Sequence, residues 1–244
     1  MSAALVVVGA HGRMGRRLVA LAPEYGFEVL GAVDTDEPLT DSHRQAAVVI
    51  DFSVAAQAQA TLRWCAEYGV GLVLGTTGLS AADDAALEQA ATQIPIVRAA
   101  NFSLGVHVLA ELVAEAARLL DWDVELVEAH HRKKVDAPSG TALLLAERVA
   151  AARGVQLSDI VRHGRDGLVG ARPAGELGIH AVRGGSVVGE HALGFYGDGE
   201  VITLEHRALD RDIFVRGALR SASWLARSPR RTPGRYGLAD VLAR

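Results

Sequence analysis

A single cysteine, Cys65, excludes an intramolecular disulfide and any metal centre built on several thiolates. It lies in a segment with helical character (TLRWCAEYG) and reads as a core thiol of a reducing compartment rather than a catalytic group. Aromatic residues make up only 5% of the chain, too few for a base-stacking platform. A basic surplus is also missing: the formal net charge is −4, which argues against general nucleic-acid binding. The run Arg227–Arg231 (RSPRR) is the local exception and reads as a solvated segment. No apolar run is long enough to span a bilayer, and no basic region precedes a leader-like apolar stretch. The expected location is the cytoplasm, with no membrane partner. Internal repeats and low-complexity segments are lacking too.

Half the residues are hydrophobic, with Ala, Val, Leu and Gly dominant, which suits buried parallel strands under closely packed helices. Apolar runs at Ala3–Val8, Glu28–Val33, Ala47–Ile50, Gly71–Leu74 and Ile94–Val97 alternate with helical segments. These include Val54–Tyr68 and a helix capped by Ser80 and running to Ala91. The alternation predicts an α/β fold: an N-terminal Rossmann-like, doubly wound parallel sheet. Past about residue 101 the pattern changes. Helices at Leu104–Leu120 and Thr141–Ala152 flank a strand at Val124–Ala129. Ile179–His206 reads as strands joined by glycine turns, with a hairpin at Gly197-Asp198-Gly199. The expectation is a dinucleotide-binding domain over 1–101, completed by a helical tail over about 213–244. A C-terminal α+β domain over 102–212, with a mixed or antiparallel sheet, would follow. The segment Leu157–Glu176 has weak patterning and reads as a loop.

The first strand runs into Gly9-Ala10-His11-Gly12-Arg13-Met14-Gly15 and then a helix. Strand, glycine turn and helix form a pyrophosphate site, because the backbone must bend sharply and approach the phosphates. The spacing G-x-x-G-x-x-G is not the commonest one, and a plain tight turn would also use glycines. Asp34 at the end of the second strand tips the reading toward a cofactor, since an acid there holds a ribose hydroxyl. Beside neutral Thr35 it favours NADH, with NADPH as the alternative because Arg13 and Arg16 lie near in sequence. Gly75-Thr76-Thr77-Gly78 and Ala99-Ala100-Asn101-Phe102-Ser103 follow the fourth and fifth strands, where such a cofactor would lie.

The most informative stretch is Glu128-Ala-His-His-Arg-Lys-Lys-Val-Asp-Ala-Pro-Ser-Gly-Thr141. His130, His131, Arg132, Lys133 and Lys134 are followed by a helix opening at Pro138-Ser-Gly-Thr. Cations on one side and the first-turn N–H groups of Gly140 and Thr141 on the other would trap an anion, most naturally a carboxylate. Histidine and lysine can also move the proton that must follow a hydride transfer. Asp136 reads as orienting this loop. A metal is not expected, since adjacent histidines point apart and no third ligand stands out.

Together GAHGRMG, GTTG, AANFSLG, EAHHRKKVDAPSGTA and HRALDRDIFVRGAL resemble, in order along the whole chain, the 4-hydroxy-tetrahydrodipicolinate reductase (dihydrodipicolinate reductase) family. The resemblance implies reduction of a cyclic imine dicarboxylate to tetrahydrodipicolinate in lysine and diaminopimelate synthesis. It implies His130 and Lys134 as proton-handling residues, and His131, Gly140 and Thr141 as substrate contacts. It implies cofactor contacts at Gly9–Met14, Asp34, Gly75–Thr77 and Ala99–Phe102, and a homotetramer assembled through the second domain. His130 could instead serve mainly to bind the anion. The competing enzyme reading is a related two-domain NAD(P)-dependent amino-acid or keto-acid dehydrogenase, which would not need the double-His basic loop. A silent nucleotide sensor would lack Lys134 or the Gly140–Thr141 pair, and both are present.

Overall fold

A computed structural model describes residues 2–227 and 231–243, so the middle of the run Arg227–Arg231 lies outside the described residues. The chain forms two compact units, one of residues up to Leu104 and from Asp212 onward, the other of Gly105–Arg211.

In the first unit, Ala3–Val8 (β1) is apolar throughout because its two faces enter different cores. Leu5 and Val7 join one, Val6 and Val8 the other. A strand covered on both sides has no polar face, hence its unbroken hydrophobic run. Arg13–Leu21 (α1) follows and buries Leu18 and Leu21 on the Leu5 side. Next come Phe27–Val33 (β2), Val48–Asp51 (β3), Ala55–Tyr68 (α2), Gly71–Leu74 (β4), Ala81–Ala91 (α3) and Pro95–Arg98 (β5). Ser80 caps α3 through its hydroxyl and a reciprocal Asp83 contact, as its sequence predicts. Helices α2 and α3 cover the Val6 side with Leu62, Cys65 and Leu87, so the lone thiol is a core group.

The second unit opens with Leu104–Leu119 (α4), then Asp123–His130 (β6) and Gly140–Ala152 (α5). Leu157–Ile160 (α6) and Val161–His163 (β7) occupy part of the stretch expected to be a loop. Leu177–Arg183 (β8), Gly189–Gly197 (β9) and Glu200–Ala208 (β10) complete a mixed sheet in the order β10-β9-β6-β8-β7. The expected loop was wrong for residues 157–163 because a three-residue edge strand is too short to show alternation. It forms here because β8 offers it a parallel edge. Glu125 ties the rest of that segment down, accepting from Arg165, Arg172 and His180 at 2.7–3.1 Å. Burial works to raise its pKa, but those donors win and hold it at about 2. One face of the sheet packs Leu126, Leu193 and Phe195 against α4 and α5. Val127, Val182, Tyr196 and Val201 on the opposite face are exposed.

The tail returns to the first unit. Asp212–Ala226 (α7) fills the Leu5 side with Val215, Leu219 and Ala222. It is not helical throughout, as had been expected: Gly234–Tyr236 (β11) adds a parallel strand beside β5 before Leu238–Leu242 (α8). Three residues carry no readable period, so only the exposed edge of β5 explains the strand. The six-stranded order is β11-β5-β4-β3-β1-β2, a parallel sheet wound on both faces as predicted. Among the described residues, no helix is long and apolar enough to cross a membrane.

Gly217, inside α7, shows how tightly the tail is seated: a Cβ there would stand 1.8 Å from the Phe102 carbonyl oxygen. Replacing a helix-interior glycine by alanine ordinarily stabilises by about 1 kcal/mol. Here overpacking reverses the sign, and Gly217→Ala is expected to cost roughly 1–3 kcal/mol in urea unfolding. An unchanged or raised midpoint would contradict the packing described.

Candidate active site

The chain must turn sharply at the end of β1. Gly9 does so at φ +79°, and a Cβ there would lie 2.8 Å from the Phe52 carbonyl oxygen. Gly15 lets α1 seat on that turn, since its Cβ would be 2.1 Å from the Gly9 carbonyl oxygen. Gly12 is the N-cap of α1 and has no side chain to accept the first-turn N–H groups. That turn contains no acid, and Arg13 and Arg16 are exposed without an ion pair among the described residues. An uncapped helix start with flanking cations suits an anion. The glycines are required by the protein's own backbone, and what they expose fits a pyrophosphate.

Asp34 follows β2 and is bound into the same turn. Its carboxylate accepts from the Thr35 and His11 amides at 2.9 Å each and from the Thr35 hydroxyl at 3.1 Å. The Thr35 and His11 amides hold its pKa below the usual carboxylate value, outweighing a small desolvation. The side chain remains about 25% exposed, leaving oxygen lone pairs for hydroxyl donors. A neutral threonine therefore lies beside the acid.

The loops after β3, β4 and β5 are fastened to one another. Asp51 Oδ1 accepts from the Ser53 amide at 2.8 Å and from the Thr76 hydroxyl at 3.0 Å. The Gly75 amide donates to the Asp51 carbonyl at 2.9 Å. Gly75 lies under the Phe52 ring, 2.5 Å from where a Cβ would be, and that ring meets Phe102 at 5.5 Å. Asn101 Oδ1 accepts from the Ser103 amide at 2.8 Å. The predicted cofactor residues thus share one edge of one sheet, with different exposures. Ala10, Thr76 and Phe102 turn their side chains inward. His11, Arg13, Thr77 and Ala100 are exposed, while Met14, Gly75, Ala99 and Asn101 are half-buried.

In the second unit the basic segment is organised by Glu128, which is fully buried on β6. Arg183 grips it with two parallel bonds of 2.7 Å, His130 Nδ1 lies 2.6 Å away, and the Ser139 amide donates at 3.1 Å. Burial alone would raise this carboxyl group's pKa. The Arg183 fork, His130 and Ser139 outweigh it and keep the pKa low. Arg183 also donates to the Asp136 carbonyl at 2.7 Å, and both Asp136 oxygens hold Lys134 Nζ at 2.8 Å. Asp136 therefore orients the loop as its position suggested. His131 is half-buried, its Nδ1 without a hydrogen-bond partner. Ser139 caps α5, accepting from the Ala142 amide at 3.2 Å, so the helix begins at Gly140 and Thr141. A Cβ on Gly140 would meet nothing within 4 Å, so space lies open before this helix start. His130, Lys134, Gly140 and Thr141 are thereby gathered on one scaffold.

Sequence reasoning missed Glu128, Arg183, His191, Asp51 and Phe52. Glu128 is an acid on the buried face of an apolar strand, a signal that was available. Arg183 is identifiable only from register, because β6 and β8 align His130 with Arg183. His191 lies under His130, its ring edge-on at 5.2 Å, with Nε2 3.1 Å from the Ser139 hydroxyl.

Known proteins are similar to this chain along nearly its whole length. The family model "Dihydrodipicolinate reductase, N-terminus" matches residues 3–102, and "Dihydrodipicolinate reductase, C-terminus" matches residues 105–242. The 4-hydroxy-tetrahydrodipicolinate reductase of Ruegeria pomeroyi is 43% identical, over 98% of this chain and 97% of its own length. That of Dinoroseobacter shibae is 44% identical over the same shares. In fold, the chain is similar to the dipicolinate-bound dihydrodipicolinate reductase of Paenisporosarcina sp. TG-14. The TM-score is 0.80 at 24% identity, over 99% of this chain and 100% of that one.

His191 makes this region acid-sensitive. Burial, with His130 alongside, pushes its imidazole down to about 4 from 6.5. Below pH 6.5 the unfolded chain takes up a proton that the folded one refuses, so the stability present above 6.5 is lost as pH falls toward 4. His206, also lowered by burial, acts in the same sense. Going from pH 7 to 5, His191 is expected to remove about 2 kcal/mol in urea unfolding, and His191→Gln to flatten that slope. An equal slope in the variant would refute this.

Proposed function

Because the chain belongs to the dihydrodipicolinate reductase family, we propose that its two units divide the reaction, the first holding the dinucleotide and the second the substrate. The reaction is the NAD(P)H-dependent reduction of 4-hydroxy-tetrahydrodipicolinate to tetrahydrodipicolinate, its hydroxyl leaving as water, in lysine and diaminopimelate synthesis. When bound, the nicotinamide supplies the hydride. The observation that carries the division is the Glu128 scaffold, which puts a basic turn and an open helix start on one support in the second unit.

Gly9, Ala10, His11, Gly12, Arg13 and Met14 would cradle the pyrophosphate through backbone N–H groups, and Asp34 would accept the ribose hydroxyls. Gly75, Thr76, Thr77 and Ala99–Phe102 would line the nicotinamide end, Thr76 and Phe102 through their backbone because their side chains are buried. NADH is the preferred cofactor in this reading, since the Asp34 carboxylate repels a 2′-phosphate. The unpaired Arg13 and Arg16 keep NADPH usable. The small dicarboxylate substrate would be received by His131 and the first turn of α5 at Gly140 and Thr141, in keeping with the dipicolinate on the Paenisporosarcina protein. Lys134, aimed by Asp136, and His130, aimed by Glu128, would supply and relay the proton that follows the hydride. The open face of the second sheet, with Val127, Val182, Tyr196 and Val201 exposed, supports assembly as a homotetramer, and the free buried thiol supports work in the cytoplasm.

The test couples the enzyme to substrate made in situ from pyruvate and aspartate semialdehyde and follows NADH and NADPH absorbance. Lys134→Ala should lower kcat/KM by about a thousandfold, the range of a lost proton donor. Asp34→Ala should raise KM for NADH by roughly tenfold to a hundredfold and that for NADPH by less, as loss of a charged hydrogen bond implies. No oxidation of either cofactor by the wild type would sink the substrate assignment.

A further inference from the structure

Glu128 itself carries no proton in the path above, yet its carboxylate is a fully buried charge with both oxygens engaged. Oε1 accepts from Arg183 Nη2 and the Ser139 amide; Oε2 accepts from Arg183 Nη1 and faces His130 Nδ1. With two donors on each oxygen it has no lone pair left for substrate, and its partners keep it ionised. Such a group cannot be the acid or base. It can fix the groups that are.

An ionised carboxylate only accepts hydrogen bonds, so the proton of a neutral His130 ring must be on Nδ1, leaving Nε2 as the lone-pair nitrogen. A second observation points to the same atom. Gly189 lies within β9 at a φ outside the left-handed region, so the backbone does not demand glycine there. The ring crowds the position: a Cβ would stand 3.0 Å from His130 Nε2 and 3.4 Å from Cδ2, so the ring would have to give by a few tenths of an ångström. A strand glycine sacrifices packing and commonly marks a close approach. The other charged or titratable groups around this ring are His191 on β9, edge-on to it and held neutral by burial, and Arg183 on β8, which shares Glu128; His206 on β10 and Lys134, paired with Asp136, act on His191.

We propose that Glu128 is a positioning residue that sets the tautomer of His130, presenting Nε2 for proton exchange, and joins that ring to the start of α5 through Ser139. Gly189 is the space that keeps Nε2 accessible. The proposal rests on the reading that His130 and α5 serve the reductase reaction.

The experiment pairs kinetics with long-range proton–nitrogen NMR of imidazole-labelled protein, His130 being assigned with His130→Gln. In the wild type, the neutral His130 ring should show a protonated Nδ1 and a bare Nε2. Glu128→Gln should mix the tautomers and lower kcat on the order of tenfold to a hundredfold, with KM for NADH unchanged and an altered pH profile. Glu128→Asp, which keeps the charge, should recover part of the rate. Gly189→Ala should keep the wild-type tautomer yet lose kcat. A bare Nδ1 in the wild type, or an unaltered tautomer in Glu128→Gln, would overturn the proposal, as would full activity in both Glu128→Gln and Gly189→Ala. Should Glu128→Gln fail to fold, the wild-type tautomer and Gly189→Ala still decide. If the wild type reduces no substrate, the functional reading fails, while the NMR arm still tests Glu128's hold on the ring.

Discussion

The carboxylate of Glu128 is the constraint on which the second unit depends. Removing a charge from water costs several kcal/mol unless the interior returns it in matched hydrogen bonds. Here the return comes from three directions. The planar fork of Arg183 meets both oxygens, the His130 ring meets one, and the Ser139 amide meets the other. Each partner is fixed by satisfying the acid, so β6, β8 and the start of α5 are brought into mutual register at one point. The Arg183 bond to the Asp136 carbonyl extends the order into the basic turn, and Asp136 passes it to Lys134. Of the row of cations, Lys134 is thereby held in place, while Arg132 and Lys133 remain exposed.

The first unit reaches order by another route. Its sheet is apolar on both faces, and the helices on either side supply two cores rather than one. All strands run the same way, so their carboxyl ends emerge along one edge, where loops are free to carry polar groups. Those loops are not independent. Asp51 bonds the loop after β3 to that after β4, and Phe52 packs between Gly75 and Phe102. Coupling of this kind holds a long ligand along several loops at once.

The two halves of the chemistry therefore rest on different physics. In the proposed division, phosphate and ribose recognition would use backbone N–H groups and one ionised acid at the surface, where glycines remove steric obstruction. Substrate and proton handling would use buried charge, in which each group is positioned by the need to satisfy its neighbour.

Period and punctuation in the sequence were enough to determine the alternation of strands and helices, the glycine turn, the Ser80 cap and the helix start at Gly140. Each depends on neighbours a few residues away. The motif from Glu128 to Thr141 could be recognised for the same reason, since its residues are contiguous. Only the tertiary structure decided which of them work together. Glu128 meets Arg183 across parallel strands, Gly189 lies close against the His130 ring, and β7 and β11 exist because sheet edges were available to them. Such pairings arise from register and burial between segments distant in sequence, and local pattern carries no record of them.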